Sequence, residues 1–298
     1  MKKTLLILCI CLSVILSSCA NDDIEYRIYY DTLDIMYEDG STGNYTFYKP
    51  GLDVKIGIIS GNPDFSIDHG DAIKDEGDAP KHRTLEIGGE SYELEYLKTY
   101  RSPLYTLEKY QSFSQSDEYE QDKIYAEFRS GSDILLRYHD NSSKKKVVGD
   151  LTEEEAKKLA KDIVAAQYGE AVFNEYTFDN VRFAETLSQS FYEVTYTRYV
   201  HDIPTNDTIR VAFNLKGHLY FLIAPRFGMY KDAEKEISSR QIKKAIEFLT
   251  DCLSDEWVLC EDPVLMMDSC GVFYVSITAK NKGGNARPNL IPLYINVN

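Results

Sequence analysis

The chain has 298 residues, 43% of them hydrophobic, and carries 48 Asp and Glu against 33 Lys and Arg for a formal charge of −15. That acidity argues against nucleic acid as a partner, because phosphates need a basic footprint, and against a body lying on an anionic membrane. The apolar content and length suffice for a core in two or three domains. Beyond the N-terminus, no apolar run is long enough to span a bilayer.

Met1-Lys2-Lys3 is a short positive segment, and Leu5 to Leu16 is an apolar run of twelve residues closed by Leu16-Ser17-Ser18-Cys19. The layout is that of a secretory signal, too short for a spanning helix. Leu-Ser-Ser-Cys resembles the lipobox of bacterial lipoproteins. The resemblance implies removal of residues 1–18 and diacylation of Cys19 as the mature N-terminus, an anchor worth about 0.8 kcal/mol per buried CH₂. Two lysines leave with residues 1–18, so −15 becomes −17 on 280 residues. Ala20 argues against retention at the inner membrane. Asn21-Asp22-Asp23, the end of a tether over 19–23, resembles the surface-export signal of some two-membrane bacteria. The expected place is the outer membrane, with surface display and the periplasmic leaflet both open.

Residues 24–148 read as an antiparallel β domain. Tyr26-Arg27-Ile28-Tyr29 and Val54-Lys55-Ile56-Gly57-Ile58 alternate. Thr84 to Leu94 predicts a hairpin turning at Gly88-Gly89, and Lys123–Phe128 a second one with Ile134–Tyr138, across Ser130 to Asp133. The stretch Val54 to Ile67 and the closing Ile134 to Asp140 resemble a bacterial Ig-like domain over about 45–140, which implies a spacer or adhesion role. An acidic loop from Asn62 to Asp78 overlaps the first of these stretches, and in it Asp64, Asp68 and Asp71 offer oxygen ligands suited to Ca²⁺. Gly70 stands one place late for an EF-hand loop, however, and a solvated acidic loop is the simpler reading. The polar run Asn141 to Lys146 marks a boundary.

Residues 149–232 open on a helix. Thr152 and Glu155 form a capping box, three Glu in the first turn suit the helix dipole, and Ala156, Leu159, Ala160, Ile163 and Val164 make one apolar stripe. Strands are expected near Thr177–Leu187, at Phe191–Tyr199, at Thr208–Leu215 and at Leu219–Ala224, with His201 to Asp207 as a turn. Residues 233–298 read as a shortened copy. Ile237-Ser238-Ser239-Arg240-Gln241-Ile242 lies over Leu151 to Ala156 without a gap, the stripe continues through Ala245, Ile246 and Leu249, and strands follow at Trp257–Met267, Val272–Thr278 and Leu290–Val297. Helix followed by strands carrying Tyr192 to Tyr196 and Thr208 to Asn214 resembles a PepSY-like module, of a kind found in exported proteins and protease propeptides. The resemblance implies a binding or inhibitory role. The expected fold is thus α+β: an N-terminal antiparallel β domain, then two helix-plus-antiparallel-sheet units.

Chemistry-bearing residues are sparse. Of the cysteines that remain after Cys19, Cys260 and Cys270 flank an expected turn and are the favoured disulfide; Cys252 falls on a helix stripe. No CxxC, HExxH, GxSxG, phosphate loop or dinucleotide fingerprint appears, and no cofactor is expected. The 23 tyrosines suit half-buried strands, while Tyr192 and Tyr196 together are the candidate binding face. The leading expectation is a non-catalytic envelope lipoprotein that binds a protein partner, by strand addition or inhibition. A surface glycan binder and a hydrolase with an unrecognised site are the alternatives.

Overall fold

The computed structural model describes residues 28–29, 32–37, 42–46, 65, 72–73, 79–101, 104–112, 124–141, 147–185, 189–283, 286–287 and 290–297. In chain order the first strands are β1 (Ile28–Tyr29), β2 (Thr32–Tyr37), β3 (Thr42–Thr46), β4 (Ala72–Ile73), β5 (His82–Ile87), β6 (Glu90–Arg101), β7 (Thr106–Ser112), β8 (Ile124–Arg129) and β9 (Leu135–Asp140). Helices α1 (Glu153–Tyr168) and α2 (Glu170–Phe173) follow, then β10 (Tyr176–Glu185), β11 (Ser190–Val200), β12 (Ile203–Asn214) and β13 (Leu219–Ile223). The last section holds α3 (Ala233–Glu236), α4 (Ser239–Cys252), β14 (Trp257–Leu259), β15 (Val264–Met267), β16 (Phe273–Asn281), β17 (Ala286–Arg287) and β18 (Leu290–Asn296).

Local signals govern the element ends. Thr152 and Glu155 cap α1 reciprocally, and Ser238 and Gln241 cap α4 in the same way. Gly88 and Gly89 both take positive φ, as a two-residue hairpin turn of the right twist requires. Strands β5 and β6 consequently pair from Ile87↔Glu90 back to His82↔Glu95, which turns Leu85, Ile87 and Leu94 into the core.

Strand partners depart from the expected α+β plan. Among the described residues strand far outweighs helix, so sheet dominates. One 15-stranded sheet runs through the protein, beside a three-stranded sheet of β17, β2 and β3. The decisive contact is between β9 and β13, paired antiparallel at Phe221↔His139, Leu222↔Tyr138 and Ile223↔Arg137. It joins strands from before and after α1 into one layer, so a β domain followed by two helix-plus-sheet units does not form. The second stretch also differs in pairing from the first: β14 and β15 both lie along β16, at Trp257↔Asn281 and Val264↔Ser276, in place of the β10-β11-β12-β13 meander. The expected strand at Trp257–Met267 is therefore two short ones. Strands of the Ig-like stretch belong to the same large sheet, and Val54–Ile58 lies outside the described residues.

Among the described residues two large cores form on this sheet, beside a small cluster of Ala212, Tyr220 and Phe221. The first packs Ala156, Ala160 and Val164 of α1 against Val194, Tyr196, Ile209, Val211 and Phe213. The second packs Ile242, Ala245 and Leu249 of α4 against Leu265, Val275, Ile277 and Leu293. They meet where β12 runs on past β13 and touches β15 in parallel at Thr205↔Leu265. There the Asn206 side chain acts as a strand would: Nδ2 donates to Met267 O at 3.2 Å and Oδ1 accepts from Met267 N at 3.1 Å.

Candidate functional site: an open sheet edge

Strand β10 is ten residues long and pairs with β11 alone, from Tyr176↔Arg198 to Glu185↔Ser190. Among the described residues no strand covers its outer side. Such an edge presents a row of backbone N–H and C=O groups to a further chain. A bulge between Phe178 and Asn180 sets Asp179 out of register, and Asp179 Oδ2 accepts from Thr197 Oγ1 at 3.3 Å. The extra residue brings Phe178 and Phe183 to the same sheet face, opposite Tyr196 and Tyr192. Both rings stay open, 43% and 49% exposed. Lys157 Nζ of α1 sits 5.1 Å from the Phe178 ring centre, where cation and ring face attract.

The other face of the edge is charged. The buried Glu193 carboxylate is held by Arg182 at 3.2 Å and by Arg210 at 3.7 Å. Bulges and charges on an edge suppress indiscriminate pairing. The edge is long enough to take a strand and carries the features that make it selective.

A second recess lies where the tip of the β5–β6 hairpin, α1 and the β12–β13 turn meet. It encloses about 1090 Å³, and its lining includes Tyr92, Asp140, Asp162, Asn214 and His218. Asn214 is occupied structurally, its Oδ1 accepting from Lys216 N at 2.9 Å and His218 N at 3.2 Å. Tyr92 donates to Glu90 at 2.5 Å; burial and that carboxylate push its phenol up to about 12.

The residues singled out from sequence do not converge. Cys19, Asp64, Asp68 and Asp71 lie outside the described residues. Among the described residues no three His, Cys, Asp or Glu gather as metal ligands, and no helix is long and apolar enough to cross a membrane. Cys260 and Cys270 are both free and exposed, which corrects the expected disulfide. Cys260 N donates to Thr278 O at 2.9 Å, whereas Cys270 sits in the β15–β16 turn. All of β15 runs between them, so they stand on the order of 15 Å apart at roughly 3.3 Å per strand residue, beyond the ~7 Å Cα limit of a disulfide. Tyr192 and Tyr196 do share a face, but it is the one under α1. Tyr196 is buried against Phe173 at 4.9 Å between ring centres, and Tyr192 packs partly against the core. Tyr110, Tyr138 and Tyr230 are likewise fully buried, so these tyrosines serve the core.

A buried polar cluster escaped notice in the sequence. Asp207 is wholly closed to solvent. Its Oδ2 accepts from Tyr176 OH at 2.9 Å, and its backbone N–H donates to Thr205 Oγ1 at 3.1 Å. Oδ1 has no partner among the described residues. Burial pushes the carboxyl up to about 7, against the opposing pull of the Tyr176 hydrogen bond and of Arg198, Arg226 and Arg129. Pro204, Thr205, Asn206 and Asp207 look like a turn. The available signal was the period of two through Thr205, Asp207, Ile209, Val211 and Phe213, all of them buried.

No family model, curated protein or solved structure matches the chain.

Proposed function

We propose that the protein is a lipid-anchored component of the bacterial envelope, held by Cys19, that binds a protein partner by strand addition along β10. The observation that carries this reading is the ten-residue edge with a single strand partner and two half-exposed phenylalanines. An added strand gains main-chain hydrogen bonds from the edge, and alternate side chains supply specificity. Phe178 and Phe183 would take apolar side chains of that strand on one face, while Arg182 would meet polar ones on the other.

The test is site-specific photocross-linking in the envelope of the native host, with a benzophenone amino acid at position 178, 182 or 183 and, as a control, at 161 on the exposed side of α1. An adduct of one defined mass from the edge positions, absent at 161, supports strand addition. Adducts from the control position alone, or none at the edge while the protein is abundant and anchored, would discard it. Loss of membrane retention in a Cys19→Ser variant tests the anchor separately.

A further inference from the structure

The stripe of α1 is wider than the sheet that covers it. Ala156, Ala160 and Val164 are fully buried, yet Leu159 and Ile163 remain partly open, and both line the recess beside the β5–β6 hairpin. Leu219, itself nearly closed, completes an apolar floor, and the fully buried Phe213 lies beneath it. Two glycine turns bound it. A Cβ on Gly217 would lie 3.5 Å from Leu159 Cδ1, and one on Gly88 3.9 Å from Ile163 Cδ1. These turns approach α1 with no side chain of their own, which leaves the floor between them free.

Among the described residues the rim has one dominant sign. Glu86 and Glu90 of the hairpin, Asp140 at the end of β9 and Asp162 of α1 surround the floor, against Lys216 and His218 of the β12–β13 turn. A concave site over a low-dielectric floor focuses such a field and concentrates ligands of opposite charge.

We infer that this cleft is a binding site for a basic amphipathic peptide segment, in which lysine or arginine alternates with aliphatic side chains. The aliphatic side chains cover Leu159, Ile163 and the edge of Leu219, and the cations meet Glu86, Glu90 and Asp162. A volume of about 1090 Å³ lies just above the range for small ligands, roughly 300–1,000 Å³, and suits several residues of peptide. A sugar fits the site less well. Its aromatic residue, Tyr92, is tied to Glu90, and its ring leans on Tyr138 at 6.1 Å. The cleft is separate from the β10 edge, so the inference stands whether or not that edge takes a strand.

The experiment is fluorescence anisotropy on the full chain with labelled acetyl-Lys-Leu-Lys-Leu-Lys-amide, beside the uncharged Gln-Leu-Gln-Leu-Gln peptide. General attraction of a cation to an acidic protein is separated from cleft binding by three variants. Glu86→Gln with Asp162→Asn removes two exposed rim charges. Ala166→Trp fills the cleft from an exposed helix position and leaves the charge unchanged. Glu153→Gln with Glu154→Gln removes the same charge outside the cleft.

Saturable binding of the lysine peptide is expected, weakened about tenfold or more by the rim pair and by Ala166→Trp, and changed less than about twofold by the control pair. The Phe183→Lys edge variant should bind as the wild type does. Equal loss in the rim and control pairs, full binding by Ala166→Trp, equal affinity for the glutamine peptide, or no saturable binding would each overturn the inference.

Discussion

Tyr176 OH donates to Asp207 Oδ2 at 2.9 Å in a site closed to solvent. Burial pushes the Tyr176 phenol up as well, so it remains a donor through neutral pH. The carboxyl, in contrast, is pushed by burial from its ordinary 3.8 to about 7. Arg198, Arg226 and Arg129 face it, and Arg198 is itself paired with Glu175 at 2.7 Å. Raised folded-state pKa means that the folded state holds a proton which the unfolded chain has already lost. The stability this contributes is complete below about pH 4 and is lost as pH rises towards 7. At roughly 1.4 kcal/mol per pH unit across that window, the total is on the order of a few kcal/mol. Urea unfolding at pH 5 and pH 8 should show a larger fall in stability for wild type than for Asp207→Asn. An equal fall in both would show that this carboxyl does not set the dependence.

Arg83 and Glu108 form a well-enclosed ion pair in the first core, at 3.0 Å with side chains 12% and 4% exposed. Glu108 also accepts from Ser130 Oγ at 2.8 Å and Gly131 N at 3.2 Å, and the guanidinium lies 4.8 Å from the Phe128 ring centre. Removing Glu108 leaves Arg83 to the exposed Asp133 carboxylate, at 2.8 Å, and the Ser132 carbonyl, so Glu108→Ala should cost at most about 3–5 kcal/mol in chemical denaturation. The double variant Arg83→Met with Glu108→Leu should cost clearly less than the sum of the single changes.

The two capping boxes act within their own first turns. Thr152→Ala and Ser238→Ala should each destabilise by about 1 kcal/mol, read as a shift of the denaturation midpoint without a change in slope. Because α1 and α4 serve different cores, the double variant should be close to additive.

At the β10 edge, Phe183→Lys places a charge on an exposed ring position. It should leave the thermal midpoint within a few degrees of wild type, since surface changes cost within about 0.5 kcal/mol. It should remove the edge adduct in envelope cross-linking. An adduct of unchanged yield would show that the partner does not lie along this strand.

Cys260 and Cys270, both free and exposed, should react with a thiol-specific alkylating reagent in the native protein. After mild oxidation, peptide mapping should find no bond between them; a 260–270 link would contradict the placement of β15 between them.

Helix ends and hairpin turns were open to reading because their causes lie within about four residues. Thr152 with Glu155, Ser238 with Gln241 and the glycine pair 88–89 satisfy backbone groups or φ requirements in their own neighbourhood. The apolar stripe of α1 was legible for the same reason, since it follows from the helical period. What covers each part of it was not, and Leu159 and Ile163 ended in the cleft rather than under the sheet.

Strand partnership was decided by the tertiary structure. A strand's alternation says which residues share a face but not which strand lies beside it, and the contact of β9 with β13 spans some eighty residues of chain. That contact replaced separate units with one sheet and left β10 at its margin. The turn at His201-Asp202, where both residues take positive φ, proved tighter than the polar run His201 to Asp207 implied. Asn206 and Asp207 read as turn residues because isolated polar side chains prefer water. Asn206 is half-buried and Asp207 fully so because distant groups bond them, Met267 the first and Tyr176 the second. Sequence determined the local elements and their caps, whose energies are short-range; the sheet order, the open edge and the buried carboxyl came from contacts between residues far apart in the chain.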